Sequence, residues 1–92
     1  MDYSWRAEKD EANRRKHKLP LAAGILALTD PDRQSWIDES TNYGEERWIT
    51  VGKGAAGILY VVTVDYADDH THIISVRKAE RHEKQWYCQG RL

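Results

Sequence analysis

The C-terminal stretch from His72 to Tyr87 holds most of the side chains that could do chemistry. It reads His-Ile-Ile-Ser-Val-Arg-Lys-Ala-Glu-Arg-His-Glu-Lys-Gln-Trp-Tyr. An apolar strand there runs into a basic helix, so Arg77 is delivered at the strand's end, where side chains leave the sheet. At about 100° per residue, Ala79, His82, Glu83 and Trp86 fall on one side of that helix, and Arg77, Arg81, Lys84 and Cys88 fall on the other. Packing of the Trp86 side on a sheet leaves an arginine row beside it, suited to phosphate because guanidinium forks match anionic oxygens. Glu83 either orients an arginine or serves as a base, and pairing with Arg or Lys is the commoner fate of such a residue. His17, at the end of an N-terminal helix, is a second acid–base candidate. A positive imidazolium is favoured there by the helix dipole, and capping of the last carbonyls is the competing role.

Three other patterns carry less. Gly52-Lys53-Gly54-Ala55-Ala56-Gly57 spells G-x-G-x-x-G, but a strand follows where a dinucleotide site needs a helix start, so a glycine-rich hairpin is expected. His70 and His72 share a strand face near Asp68 and Asp69. Four good ligands for a structural zinc are lacking, and hairpin polarity accounts for the pair. Glu45 and Glu46 are adjacent, so on a strand they point to opposite faces and cannot share a site.

The 92 residues fit one domain, 1–92, with a formal net charge of −1 that conceals a partition. Residues 1–18 carry six basic and four acidic side chains, 29–46 one and six, 47–71 two and three, and 72–92 five and two. If the two basic ends meet, they form a cationic patch bounded by the acidic middle. A solvated surface of mixed charge is the alternative. The single cysteine, Cys88, excludes an internal disulfide framework, and no apolar run approaches the roughly 18 residues of a membrane span, so a cytoplasmic protein is expected.

These residues are positioned by a short edge strand within Met1–Trp5 and a helix over Arg6–Lys18, rich in Ala, Glu, Lys and Arg, with a thin seam of Trp5, Ala12 and Leu19. Pro20 opens a second helix, Leu21–Leu28, apolar all round and therefore inside, with Gly24 permitting close approach and Asp30-Pro31-Asp32 ending it. Gln34, Trp36 and Asp38 alternate as a strand would, before a turn at Thr41-Asn42-Tyr43-Gly44. Arg47–Val51, Ile58–Tyr66 and His70–Val76 are strands with short links. The pattern predicts α+β, an antiparallel meander sheet with two N-terminal helices and one C-terminal helix.

Several runs in order along the chain give it a family likeness: Tyr3-Ser4-Trp5, Asn13-Arg14-Arg15-Lys16-His17, Gly44-Glu45-Glu46-Arg47-Trp48-Ile49-Thr50-Val51-Gly52, and Ile73-Ile74-Ser75-Val76-Arg77-Lys78-Ala79 with Glu83 and Tyr87. The sequence resembles the BrnT toxin family. Departures fall at helix caps, where Arg6-Ala7 replaces the family's Asp-Pro and Lys18 replaces its Gly, and in the alanine-rich Leu21–Leu28 segment. The resemblance implies a RelE-like ribonuclease fold, metal-independent endoribonuclease activity that blocks translation, and a BrnA-type ribbon-helix-helix antitoxin. That antitoxin sequesters the toxin in a hetero-oligomer and provides its only link to DNA. No cofactor, metal or membrane is expected.

Under that resemblance RNA supplies its own nucleophile, the 2′-hydroxyl, and the protein supplies a base, a cation for the phosphorane and an acid for the leaving oxygen. Arg77 and Arg81, a helical turn apart, are expected to clamp the phosphate, with Arg47 as a third cation. His17, Lys16, Tyr87 and Glu83 fit the base and acid by type, His17 first, while His82 lies nearer the buried Trp86 side. Lys16, Lys53, Lys78 and Lys84 are expected along the RNA path. Replacing Arg77 by Ala is expected to abolish toxicity and leave folding intact. The rival reading is a non-catalytic module whose cationic end grips nucleic acid or an acidic peptide.

Overall fold

In the computed structural model, residues 2–39, 45–67 and 69–90 are described. The expected Thr41–Gly44 turn and Asp68 lie outside the described residues. In chain order the elements are β1 (Asp2–Ser4), α1 (Ala7–His17), a 3₁₀ turn (Leu21–Ala23), α2 (Gly24–Thr29), β2 (Gln34–Ile37), β3 (Trp48–Gly54), β4 (Gly57–Tyr66), β5 (His70–Lys78) and α3 (Arg81–Gln89). The β-branched runs of β3 to β5 make the sheet, whose strand order is β1-β5-β4-β3-β2. The chain is α+β as expected, but the sheet is mixed. β2 to β5 pair antiparallel in sequence, whereas β1 runs parallel to β5, with Ser4 beside His72. No hairpin joins β1 to β5, so no turn imposes antiparallel pairing on them.

Alternation along the strands divides the sheet into two faces. On the first, Leu59 and Val61 of β4 and Ile73 and Val76 of β5 pack with Leu19, Leu21 and Ala27 into the main core. On the second lie Ile49, Val51 and Lys53 of β3, Tyr60, Val62, Val64 and Tyr66 of β4, and His70, His72, Ser75 and Arg77 of β5. Val62 pairs with Ser75 and Thr63 with Ile73, so β5 carries one extra residue, Ile74, as a bulge. Part of the second face is covered by α3, whose Trp86 ring meets Trp36 of β2 edge-on at 5.2 Å.

The expected glycine hairpin is present, with Gly54 paired to Gly57 around Ala55 and Ala56 and Gly57 at φ +110°. Gly52 has a second role. A Cβ there would collide with the Ala27 carbonyl, so its absence lets α2 lie directly on β3. Gly24 likewise admits the methyl groups of Val61 and Val76.

Two expectations about the helices change. The α2 segment is not buried all round: Leu21, Gly24 and Ala27 are buried, while Leu26 is 57% exposed. A 3₁₀ turn followed by six helical residues presents one face to the sheet. The seam of α1 also differs, since Ala12 is exposed and the one buried residue of that helix is Asn13. Its side chain replaces a missing strand. Nδ2 donates to the Val76 and Leu19 carbonyls at 2.8 Å, and Oδ1 accepts from the Val76 amide at 3.2 Å. β1 pairs only residues 70–72 of β5, so Asn13 satisfies the backbone further along that edge, next to Arg77.

Candidate active site

Arg77 is a strand residue. It stands on the second face opposite Tyr60, and its Cζ lies 3.8 Å from the Tyr60 ring centroid. Ala79 and Glu80 then separate the strand from α3, which begins at Arg81. That start has a local cause. Glu80 is the N-cap and Glu83 the N3 residue of a capping box, with the Glu80 amide donating to Glu83 Oε1 at 2.7 Å. The same carboxylate receives Arg77. Nη1 donates to Oε1 and Nη2 to Oε2, both at 2.8 Å, and Nη1 also reaches the Lys78 carbonyl at 3.2 Å.

This pair is lopsided in burial, with side-chain exposure of 27% for Arg77 and 4% for Glu83. Burial pushes the Glu83 carboxyl up. The hydrogen bonds from Arg77 and the Glu80 amide and the charge of Arg77 outweigh it and hold the group below its ordinary range. Arg77 is held above its ordinary value by the Glu83 hydrogen bonds, which overcome desolvation. Tyr60 is pushed up by burial, with Arg77 opposing. Of the five guanidinium N–H groups, Glu83 and Lys78 take three. The two others lie on Nε and Nη2, along one edge of the plane and at the spacing that grips phosphate, and the Tyr60 hydroxyl also hydrogen-bonds the guanidinium.

His17 ends α1 and is half-buried. Contrary to the dipole expectation, its imidazolium is disfavoured: desolvation, then the charges of Lys16 and Arg77, lower its pKa. A neutral imidazole within the field of Arg77 is the form a general base requires. Asn13, on the last turns of α1, bonds Val76, the residue before Arg77, so the two basic ends of the chain meet here.

Other expected site residues are not gathered there. No helical turn links Arg77 to Arg81, because Arg77 lies within strand β5; Arg81 and Lys84 are exposed on α3. Arg47 precedes β3 by one residue and continues the second face, with its carbonyl accepting from the Asp38 amide at 2.8 Å. It lies four residues from Val51, the partner of Tyr60, a shift of about 13 Å along the strand. Arg47 and Arg77 thus stand at separate phosphate spacings. Lys16 is exposed beside His17, Lys53 is exposed on the second face, and Lys78 points to the first.

Tyr87 is held elsewhere. Its hydroxyl donates to Asp30 Oδ2 at 2.6 Å, and this bond, with desolvation, pushes its pKa up to about 12. Asp30 is correspondingly held low by Tyr87 and by the Lys53 and Asp32 amides. Sequence alone gives Tyr60 no site role, places Asn13 only in a family run and Asp30 only at a helix end, and the structure brings all three to contacts around the site. The Glu80-x-x-Glu83 box is the signal that would have placed the start of α3.

The two strand histidines are occupied by Ser4, whose hydroxyl lies 2.6 Å from His70 Nε2 and 2.8 Å from His72 Nδ1. Glu80, His82 and Glu83 place donor atoms within 4.8 Å of one another. The Glu83 oxygens are engaged by Arg77, and His82 packs on Trp86, so this group is a helix start and does not fit a cation. No helix among the described residues is long and apolar enough to cross a membrane.

A family model described as the ribonuclease toxin BrnT of type II toxin–antitoxin systems matches residues 5–83. That span includes His17, Arg47, Arg77, Arg81 and Glu83 and ends before Lys84 and Tyr87. No curated protein matches the chain. Among solved structures, the 1.1 Å crystal structure of the Brucella abortus ribonuclease toxin, BrnT, is similar with a TM-score of 0.63 at 20% identity, covering 88% of this chain and 99% of that one. At that identity the likeness speaks for the fold.

Proposed function

Because the chain belongs to the BrnT family of ribonuclease toxins of type II toxin–antitoxin systems, we propose that it cleaves RNA without a metal ion and thereby inhibits translation in the cytoplasm. On this reading it has a RelE-like ribonuclease fold and is held inactive by a BrnA-type ribbon-helix-helix antitoxin, in a complex that alone touches DNA. The observation that carries the site assignment is Arg77, fixed by Glu83 through Nη1 and Nη2, with its charge felt by a His17 whose neutral form is favoured.

In this mechanism His17 takes the proton of the 2′-hydroxyl, whose oxygen bonds to phosphorus as the P–O5′ bond breaks. A 2′,3′-cyclic phosphate and a 5′-hydroxyl result, Lys16 or solvent giving the leaving 5′-oxygen its proton. The Arg77 edge meets the phosphorane oxygens, where charge develops. Glu83 acts through Arg77: it fixes the guanidinium, with Tyr60 beneath it, so that little reorganisation is needed during reaction. Arg47, and Lys53 further along the face, hold flanking phosphates, with Arg81, Lys78 and Lys84 contributing longer-range attraction.

The test is cleavage of a labelled RNA by purified protein in EDTA, with and without ribosomes. Wild type is expected to cleave, and an Arg77→Ala variant shown to be folded by circular dichroism is expected to lose about 10²- to 10³-fold in rate. Wild-type cleavage that EDTA abolishes would overturn metal independence. A folded variant as fast as wild type would remove Arg77 from the site, and RNA binding without cleavage under any condition would favour the non-catalytic module.

A further inference from the structure

The second face has another polar end that the chemistry above does not use. Tyr66, the last residue of β4, is 52% exposed, and its ring lies 5.9 Å from each of the His70 and His72 rings. Register places all three on the face that carries Arg77. His72 stands opposite Val64, and Arg47 continues the same row from β3. The histidines are held in place by Ser4, whose hydroxyl bridges His70 Nε2 and His72 Nδ1. That bridge exists because β1 runs parallel to β5 and sets Ser4 beside His72. His70 Nδ1 and His72 Nε2 are left facing away from it. An exposed aromatic ring flanked by two oriented imidazoles is the arrangement on which a splayed nucleobase stacks, with ring nitrogens available to its phosphate or base edge.

We propose that Tyr66, flanked by His70 and His72, is a stacking subsite for a base of single-stranded RNA lying to one side of the scissile phosphate. The proposal rests on the ribonuclease reading only in taking RNA as the ligand. Tyr66 is six residues along β4 from Tyr60, about 20 Å. At the stacked rise of about 3.4 Å per nucleotide, a strand crosses from Arg77 to Tyr66 in at most about six nucleotides. Arg47, in the row next to Tyr66, lies on this path. The subsite therefore sets a minimum substrate length and a preference for unpaired RNA.

The experiment is fluorescence anisotropy with a labelled, fully 2′-O-methylated RNA of about twelve nucleotides, which cannot be cleaved because it lacks the 2′-nucleophile, beside one of about three nucleotides. Tyr66→Ala is expected to weaken binding of the long strand by about 5- to 100-fold and of the short strand hardly at all, with Tyr66→Phe equal to wild type. Should the alanine variant fail to fold, Tyr66→Leu, which keeps an apolar body and removes the π-face, gives the same comparison. Equal affinity of wild type and both non-aromatic variants for the long strand would overturn the subsite. So would a loss confined to binding of the cognate antitoxin, which would make the patch a protein contact. Failure of the ribonuclease reading is separable: a wild type that never cleaves RNA, yet binds the long strand through Tyr66, would refute catalysis and leave the subsite standing.

Discussion

Arg77 and Glu83 meet through two parallel hydrogen bonds of 2.8 Å, one to each carboxylate oxygen, and this pair ties the end of β5 to the first turn of α3. Glu83 is 4% exposed, so removing Arg77 strands a buried carboxylate. The expectation that Arg77→Ala leaves folding untouched therefore needs correction. Breaking such a pair from one side costs about 3 kcal/mol, at the lower end of the range for buried pairs because Arg77 remains partly solvated. Urea unfolding of Arg77→Ala should show that loss at pH 7. The pH dependence follows from the sign of the shift. Glu83 is held below its ordinary 4.5 in the folded chain, so its contribution is complete above that value and is lost as pH falls further. A Glu83→Gln variant should lack this acid-side decline, and one whose stability falls below pH 4.5 as steeply as wild type's would contradict the assignment.

Much of this arrangement was legible in the sequence, for identifiable reasons. Strands β3 to β5 announce themselves by β-branched runs, and the basic ends by charge. Direction and pairing were less accessible. Three residues of β1 carry no signal for parallel pairing, and the contact of Asn13 with Val76 joins positions 63 apart. A helical wheel assigns every residue a face, Arg77 included, whether or not the backbone is helical there. The capping box at Glu80 and Glu83 fixes the true start, and with it the separation of Arg77 from Arg81. Glycine spacing at 52 and 54 suggested a turn, while its other role, the approach of α2, depends on a segment that only the fold brings near.

Two substitutions at backbone-limited positions should act in opposite directions. Lys18, the C-cap of α1, has φ +63° and ψ +24°, the left-handed conformation that glycine adopts without strain. Lys18→Gly should raise stability by about 1 kcal/mol. Gly52→Ala drives a methyl group into the Ala27 carbonyl and should cost about 1–3 kcal/mol. Thermal melts of the two variants against wild type give both signs, and a stable Gly52→Ala would mean that α2 shifts freely over β3.

On the proposed mechanism, Tyr87 is a positioning residue. Its phenol ionises only near pH 12 and donates to Asp30, the C-cap of α2, so it links α3 to the α2–β3 corner. Tyr87→Phe should keep RNA cleavage within a few-fold of wild type and speed amide hydrogen exchange in the last turn of α3. A loss of about 10²-fold or more in a variant with unchanged exchange would instead place the hydroxyl in the chemistry.

On the proposed mechanism, His17 gives the reaction its acid limb. Desolvation, Lys16 and Arg77 all favour the neutral imidazole, so its pKa in the folded protein lies below the ordinary 6.5. A base works when unprotonated. Activity should therefore hold through pH 6.5 and decline only as pH falls through the lowered value, a limb read from kcat/KM because it reports the free enzyme. Arg77 is one source of the depression, so Arg77→Lys, which keeps a positive charge near Glu83, should largely preserve the limb, whereas Arg77→Ala should move it toward 6.5. His17→Ala should lower the rate by about 10²- to 10⁴-fold and flatten the remaining profile. An unchanged acid limb in a folded His17→Ala variant would transfer the base to another group, and Glu83, the other acid–base side chain gathered around Arg77, would be the next to replace.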